Sequence, residues 1–178
     1  MSFGAQWFFG ILDQTIFMHV RISKTVLVAA LALFFSLVVF NNVFDYDSNY
    51  QFVKHVLSMD TTFEGNKGMW RAITSPTLHH VFYVGIILAE ALAAVLCWSG
   101  AWGLYKSRQA PAVFKKKKTP AIYGLTLAIL IWFVGFIAVG GEWFLMWQSE
   151  VRNGLDAAFR ISAISGIALI YLILPDGE

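Results

Sequence analysis

Four apolar runs, at about 25–44, 81–105, 121–142 and 157–174, constrain this chain more than any other feature. Each has the roughly 20 mostly apolar residues that a helix needs to cross the hydrocarbon of a bilayer. Composition agrees, because only 13% of the 178 residues are charged and 58% are hydrophobic, whereas soluble domains carry about 25% charged residues. The pattern predicts an all-α fold, an integral membrane four-helix bundle, forming a single membrane domain over residues 1–178. The one cysteine, Cys97, excludes an intrachain disulfide framework. A net charge of +2, with the basic residues gathered in one segment, excludes a nucleic-acid interface. The chain has no G-x-S-x-G, no glycine-rich phosphate loop and no CxxC, so no catalytic residue is assigned and no cofactor is expected. The absence of an internal repeat leaves inverted-repeat transporter architecture without support.

Orientation follows from the lysines and arginines of the short connections, which are in excess on the cytoplasmic side. The 106–120 connection carries Lys106, Arg108, Lys115, Lys116, Lys117 and Lys118 with no acid, whereas the 45–76 loop balances its three cations with Asp45, Asp47, Asp60 and Glu64. Both termini are therefore expected in the cytoplasm, with 106–120 as a basic cytoplasmic loop and 45–76 as an external one. Arg21 and Lys24 agree. Lys115 to Lys118 serve as a topology determinant, or alternatively as a contact for anionic lipid. Trp98, Trp102, Tyr105, Tyr123 and Tyr171 are expected at the inner interface, and Tyr83, Trp143 and Trp147 at the outer one.

The 45–76 loop is too long for a bare connector and is expected to be partly structured. Ser48 is positioned to cap a short helix in which Phe52, Val53, Val56 and Leu57 share a face. Before the first span, Phe8, Leu12, Ile16 and Val20 recur every four residues. That stripe fits an interfacial helix over about 5–20 or a simple extension of the first span.

Glu90 and Arg160 are the most informative single residues, since an ionisable group in hydrocarbon costs about 2.5 to 3.5 kcal/mol on insertion scales and usually faces the bundle interior. At about 1.5 Å per residue, Glu90 lies roughly 22 Å from the inner end of its span and Arg160 roughly 21 Å from the inner end of the last. Equal depth makes them a candidate intramembrane polar pair. It would lock two spans together or, alternatively, serve a proton or ion relay. Snorkelling of Arg160 to the external interface is the third option.

His79, Tyr83, Ile86, Glu90 and Cys97 fall near one face of the second span. A metal or quinone headgroup could meet this stripe, with His79 or His80 as ligand and Glu142 nearby. A metal site needs three or four converging ligands, and no HxH or HxxxH spacing supplies them. The pair His79–His80 reads equally well as a helix start at the headgroups. Small residues permit close helix packing at Gly85, Ala89 and Ala93, at Gly124 and Ala128, and at Ser162 and Gly166. The first span has no such row, which places it on the lipid side or against a partner.

Trp70-Arg71-Ala72-Ile73, His79-His80 followed by Tyr83 and Glu90, the run Gly140 to Ser149 (GGEWFLMWQS) and Ala157-Ala158-Phe159-Arg160 together resemble a bacterial family of predicted small integral membrane proteins. The likeness covers about residues 25–174. It implies a four-span inner-membrane protein and carries over no activity. The function expected from the residues is a non-catalytic accessory or scaffold component, in contact with membrane lipid and forming a homo-oligomer or part of a larger membrane complex. A small transporter or channel using Glu90 and Arg160, and an external metal or redox site near His79, His80 and Glu142, are the alternatives.

Overall fold

The computed structural model describes residues 3–176, with side chains from Ile16 onward. Six α-helices follow in order: α1 (Phe3–Phe44), α2 (Tyr46–Ser58), α3 (Pro76–Ser107), α4 (Pro111–Lys117), α5 (Thr119–Ile129) and α6 (Leu155–Ile173). A π-helix, Leu130–Trp143, continues α5 without a break. Single 3-10 turns occupy Met69–Arg71 and Met146–Gln148. Prolines open α3 and α4, where a missing N–H costs nothing and a fixed φ favours the first turn.

Four helical stretches are long and apolar enough to cross a membrane: Ile16–Phe44, Pro76–Ser107, Pro111–Trp143 and Leu155–Ile173. The long helix α1 runs unbroken through Arg21 and Lys24, and its 42 residues measure about 63 Å at 1.5 Å per residue. That is about twice the hydrocarbon thickness. The 5–20 stretch thus continues the helix of the first span, while the side chains of Phe8 and Leu12 lie outside the described residues.

In cross-section α1 packs along α3, α3 along α5 and α5 along α6, and α6 closes back on α1 by a much sparser contact. This order puts α3 and α6 at opposite corners. The first span, expected on the lipid side or against a partner, also packs into the bundle by one face. Val28, Leu31, Ala32 and Phe35 of α1 are buried in the main core with Ala93, Ala94, Cys97, Ala101 and Leu104 of α3. The reason is complementarity: α3 presents small side chains, and the bulkier ones of α1 fill the space above them.

Between α3 and α5 the backbones touch. A Cβ on Gly100 would stand 2.5 Å from Ala121 Cβ, and one on Gly124 would stand 2.7 Å from Cys97 Sγ. Gly124 and Ala93 of the expected small rows are thus used for close approach. Gly85 and Gly166 are not, because a Cβ at either would meet nothing within 4 Å. Gly100 makes the tightest contact and was absent from the expected rows.

At the end away from the lysine run, α2 and the following loop form a lid over the bundle. Tyr50, Val53 and Leu57 of α2 pack with Met59, Tyr83 and Phe144 in a second apolar cluster. The helix begins at Tyr46, two residues before Ser48, and no side chain caps it. Phe52 and Val56 flank the buried face as partly covered neighbours. The loop returns through Ile73, whose N–H donates to Leu57 O at 2.8 Å. Arg71 ties the loop to the π-helix by donating to Trp143 O at 3.0 Å and by lying over the rings of Trp70 and Trp143.

Candidate functional site

One group of polar side chains gathers beneath the α2 lid. Glu90, seven residues along α3 from Tyr83, is 2% exposed, and its Oε2 accepts a hydrogen bond from Asn42 Nδ2 at 2.6 Å. Asn42 lies in the last turn of α1, where carbonyls lack helical partners. The Tyr83 hydroxyl supplies one by donating to Asn42 O at 3.0 Å. One α3 residue therefore fixes the backbone of Asn42 and another receives its side chain. Tyr83 is buried.

Around Glu90 lies a cavity of about 380 Å³, lined by Val38, Asn41, Asn42, Asn49, Phe52, Val53, Tyr83, Ile86, Trp132, Phe136, Gly154 and Ala157. The indole N–H of Trp132 is buried there without a hydrogen-bond partner. Trp132 and Phe136 come from the π-helix and stack with centroids 4.7 Å apart. This helix is wider than an α-helix, with Phe144 N donating to Val139 O five residues back at 3.0 Å. The cavity thus holds a carboxylate with unused lone pairs, amide groups that donate and accept, and one unpaired donor.

The expected pair of Glu90 and Arg160 is not formed. Among the described residues no hydrogen bond or ion pair joins them, and Arg160 lines a groove between α1 and α6 with Leu27, Leu31, Phe34 and Ile161. They also differ in depth, since Arg160 lies beside Leu27 to Phe34 of α1 and Glu90 beside Val38 and Asn42. They stand on diagonal helices, and Glu90 faces the corner that α1 occupies.

The expected metal candidates do not converge. His79 is buried and donates through Nε2 to Ile73 O at 2.7 Å, holding the loop against the start of α3. His80 points the other way, with Nδ1 2.8 Å from the Tyr46 hydroxyl and its ring stacked on Tyr50 at 4.1 Å. Burial raises the Tyr46 phenol above its ordinary pKa of 10.0, and Tyr50 adds to the effect. Glu142 is exposed at the end of the π-helix, where its backbone carbonyl lies 3.4 Å from Arg71 Nη1. Among the described residues no group of three His, Cys, Asp or Glu side chains could hold a metal.

The lysine run divides. Lys115, Lys116 and Lys117 are exposed. Lys118 is buried and takes a different role, with its Nζ 2.6 Å from Asp176 Oδ2. Lys24 Nζ meets the other oxygen of Asp176 at 2.7 Å and also donates to Leu174 O at 2.6 Å. Arg21 donates to Asp176 O at 3.0 Å and to Arg108 O at 2.8 Å. Arg21 and Lys24, expected as topology markers, are thus buried parts of a clasp on the segment after α6.

Sequence reasoning missed Asn42, Trp132 and Asp176. The Asn41-Asn42 pair at the end of an apolar run was the available signal for the first. Nothing local marks Trp132, whose orientation depends on the π-helix.

Four apolar spans and a bundle with helix-to-helix packing define a small helical integral membrane protein. The model of the family described as predicted small integral membrane protein (DUF2165) matches residues 20–175, and the chain belongs to that family. No curated protein and no solved structure matches it.

Proposed function

We propose that the chain is a non-catalytic accessory or scaffold component of a larger membrane assembly or a homo-oligomer. We place it in a bacterial inner membrane with both termini cytoplasmic. The observation that supports this reading is the apolar core on the inner side of the Glu90 cavity. Below Glu90 the core consists of Ala93, Ala94, Cys97, Ala101, Leu104, Ala121, Leu125 and Ala128, all buried. A conducting path needs polar groups along its length, and among the described residues the buried polar side chains of this half are sparse, with Ser162 and Ser165 on α6 and then the clasp of Arg21, Lys24, Lys118 and Asp176 at the far end. The transporter reading loses its second premise as well, since Arg160 does not meet Glu90. Exposed Lys115, Lys116 and Lys117 at one end support the orientation.

Native mass spectrometry of the full chain, extracted from its own membrane in mild detergent, tests the assignment. A reproducible larger subunit or a defined homo-oligomer is expected, and a lone monomer overturns it. Ion or solute flux in vesicles that falls in Glu90→Gln, while the variant remains folded, would favour the transporter instead.

A further inference from the structure

The sparse contact between α1 and α6 leaves a furrow along that seam. Three openings follow one another there. The Glu90 cavity shares Ala157 with a groove of about 480 Å³ lined by Leu27, Leu31, Phe34, Ile161 and Ile164. That groove shares Leu27 and Ala30 with an opening beside His19 and Tyr171. The residue common to both linings carries only a methyl group. Arg160 follows Ala157 by three residues on α6, so both lie on one helical face, and Arg160 lines the groove just past that residue.

The order along the seam is therefore a buried acid, then a cation, then apolar surface. No cation pairs with Glu90 and no carboxylate pairs with Arg160 among the described residues. Trp132, 8% exposed, also lines the cavity, and its indole N–H has no hydrogen-bond partner. The geometry points to a phospholipid with a primary ammonium head, of the phosphatidylethanolamine class, seated in this seam. Its ammonium enters the cavity and donates to Glu90 and to the carbonyl oxygens of the surrounding asparagines. Its phosphate lies at the mouth against Arg160, within reach of the Trp132 donor, and its acyl chains run down the furrow past Leu31 and Ile164. Charge complementarity selects this occupant. An anionic glycerol head would bring no cation to Glu90, and a quaternary ammonium cannot donate hydrogen bonds.

This inference is independent of the accessory role, because a chain that travels alone can still hold the lipid and an assembled one can lack it. Lipid retention on the full chain, taken from nanodiscs of equimolar phosphatidylethanolamine, phosphatidylcholine and phosphatidylglycerol into detergent and weighed by native mass spectrometry, tests it. Wild type is expected to retain phosphatidylethanolamine roughly tenfold over phosphatidylglycerol, the effect of one charge-assisted hydrogen bond in a buried site, with phosphatidylcholine between them. Glu90→Gln should abolish that preference, and Arg160→Gln should lower retention of all three lipids. Ala157→Phe blocks the junction while leaving the Asn42–Glu90 bond in place, and should lose the lipid with an unchanged melting temperature. Equal retention of the three lipids, a preference that survives Glu90→Gln, or a retained molecule without phosphate such as a quinone overturns the proposal.

Discussion

Lys24 and Lys118 share one carboxylate, each bound to a different oxygen of Asp176, at 2.7 and 2.6 Å. Their side chains are 0% and 6% exposed. The arrangement joins the first span, the third and the segment after the fourth through a single acidic group.

Replacing Asp176 by Ala leaves two buried ammonium groups without their counterion. Removing one member of a buried ion pair costs about 3 kcal/mol, and the variant should melt well below wild type in detergent. A melting temperature equal to wild type would mean that water already solvates the lysines.

Glycines at two positions should respond in opposite ways. Gly100→Ala sets a methyl 2.6 Å from the backbone nitrogen of Ala121 and should destabilise by about 2 kcal/mol, since the helix itself must move. Gly166→Ala meets open space and should be neutral or slightly stabilising. Parallel thermal melts decide the matter.

A double-mutant cycle separates the two possible partners of Glu90. Asn42→Ala and Glu90→Gln should couple by about 1 kcal/mol, as hydrogen-bonded neighbours do. Glu90→Gln and Arg160→Gln should add within about 0.5 kcal/mol. Coupling in the second cycle and none in the first would reverse the assignment of the Glu90 contact.

Orientation can be read by thiol labelling in intact cells. Cys97 is 0% exposed and contributes little background. Trp70→Cys should react with an impermeant maleimide from outside, and Lys116→Cys only after the membrane is opened. The reverse pattern would invert the topology.

Much of this fold was legible in the sequence because the constraints are coarse and local. Span length is fixed by bilayer thickness, so four apolar runs of spanning length could be recognised without knowing their neighbours. The loop after Phe44 announced its own helix through Val53 and Leu57. The site was legible in one coordinate only. Depth along a helix is approached by counting residues, although Arg160 meets α1 at Leu27 to Phe34 and Glu90 meets it at Asn42. Which way each faces depends on the order of helices around the bundle, and no local signal carries that order. The π-helix was unreadable for a related reason. Its wider turn depends on tertiary fit around Gly140 and Gly141, where a Cβ on Gly141 would stand 2.8 Å from Leu155. Arg21 and Lys24 were read by their charge, and the distant acid that buries Lys24 could not be foreseen.

The close contact of α3 with α5 bears on the order in which the bundle assembles. Gly100 and Ala121 are near in sequence, joined by a short connection through α4, so the entropy of closing that hairpin is small. Lys24 must wait for Asp176, 152 residues further along the chain. Local pairs form fast and distant ones slowly, so the α3–α5 hairpin is the expected nucleus and the α1–α6 seam the last boundary to close. The slowest junction to form is also the loosest in the finished molecule, and a lipid present during insertion would find it open before the clasp at Asp176 shuts.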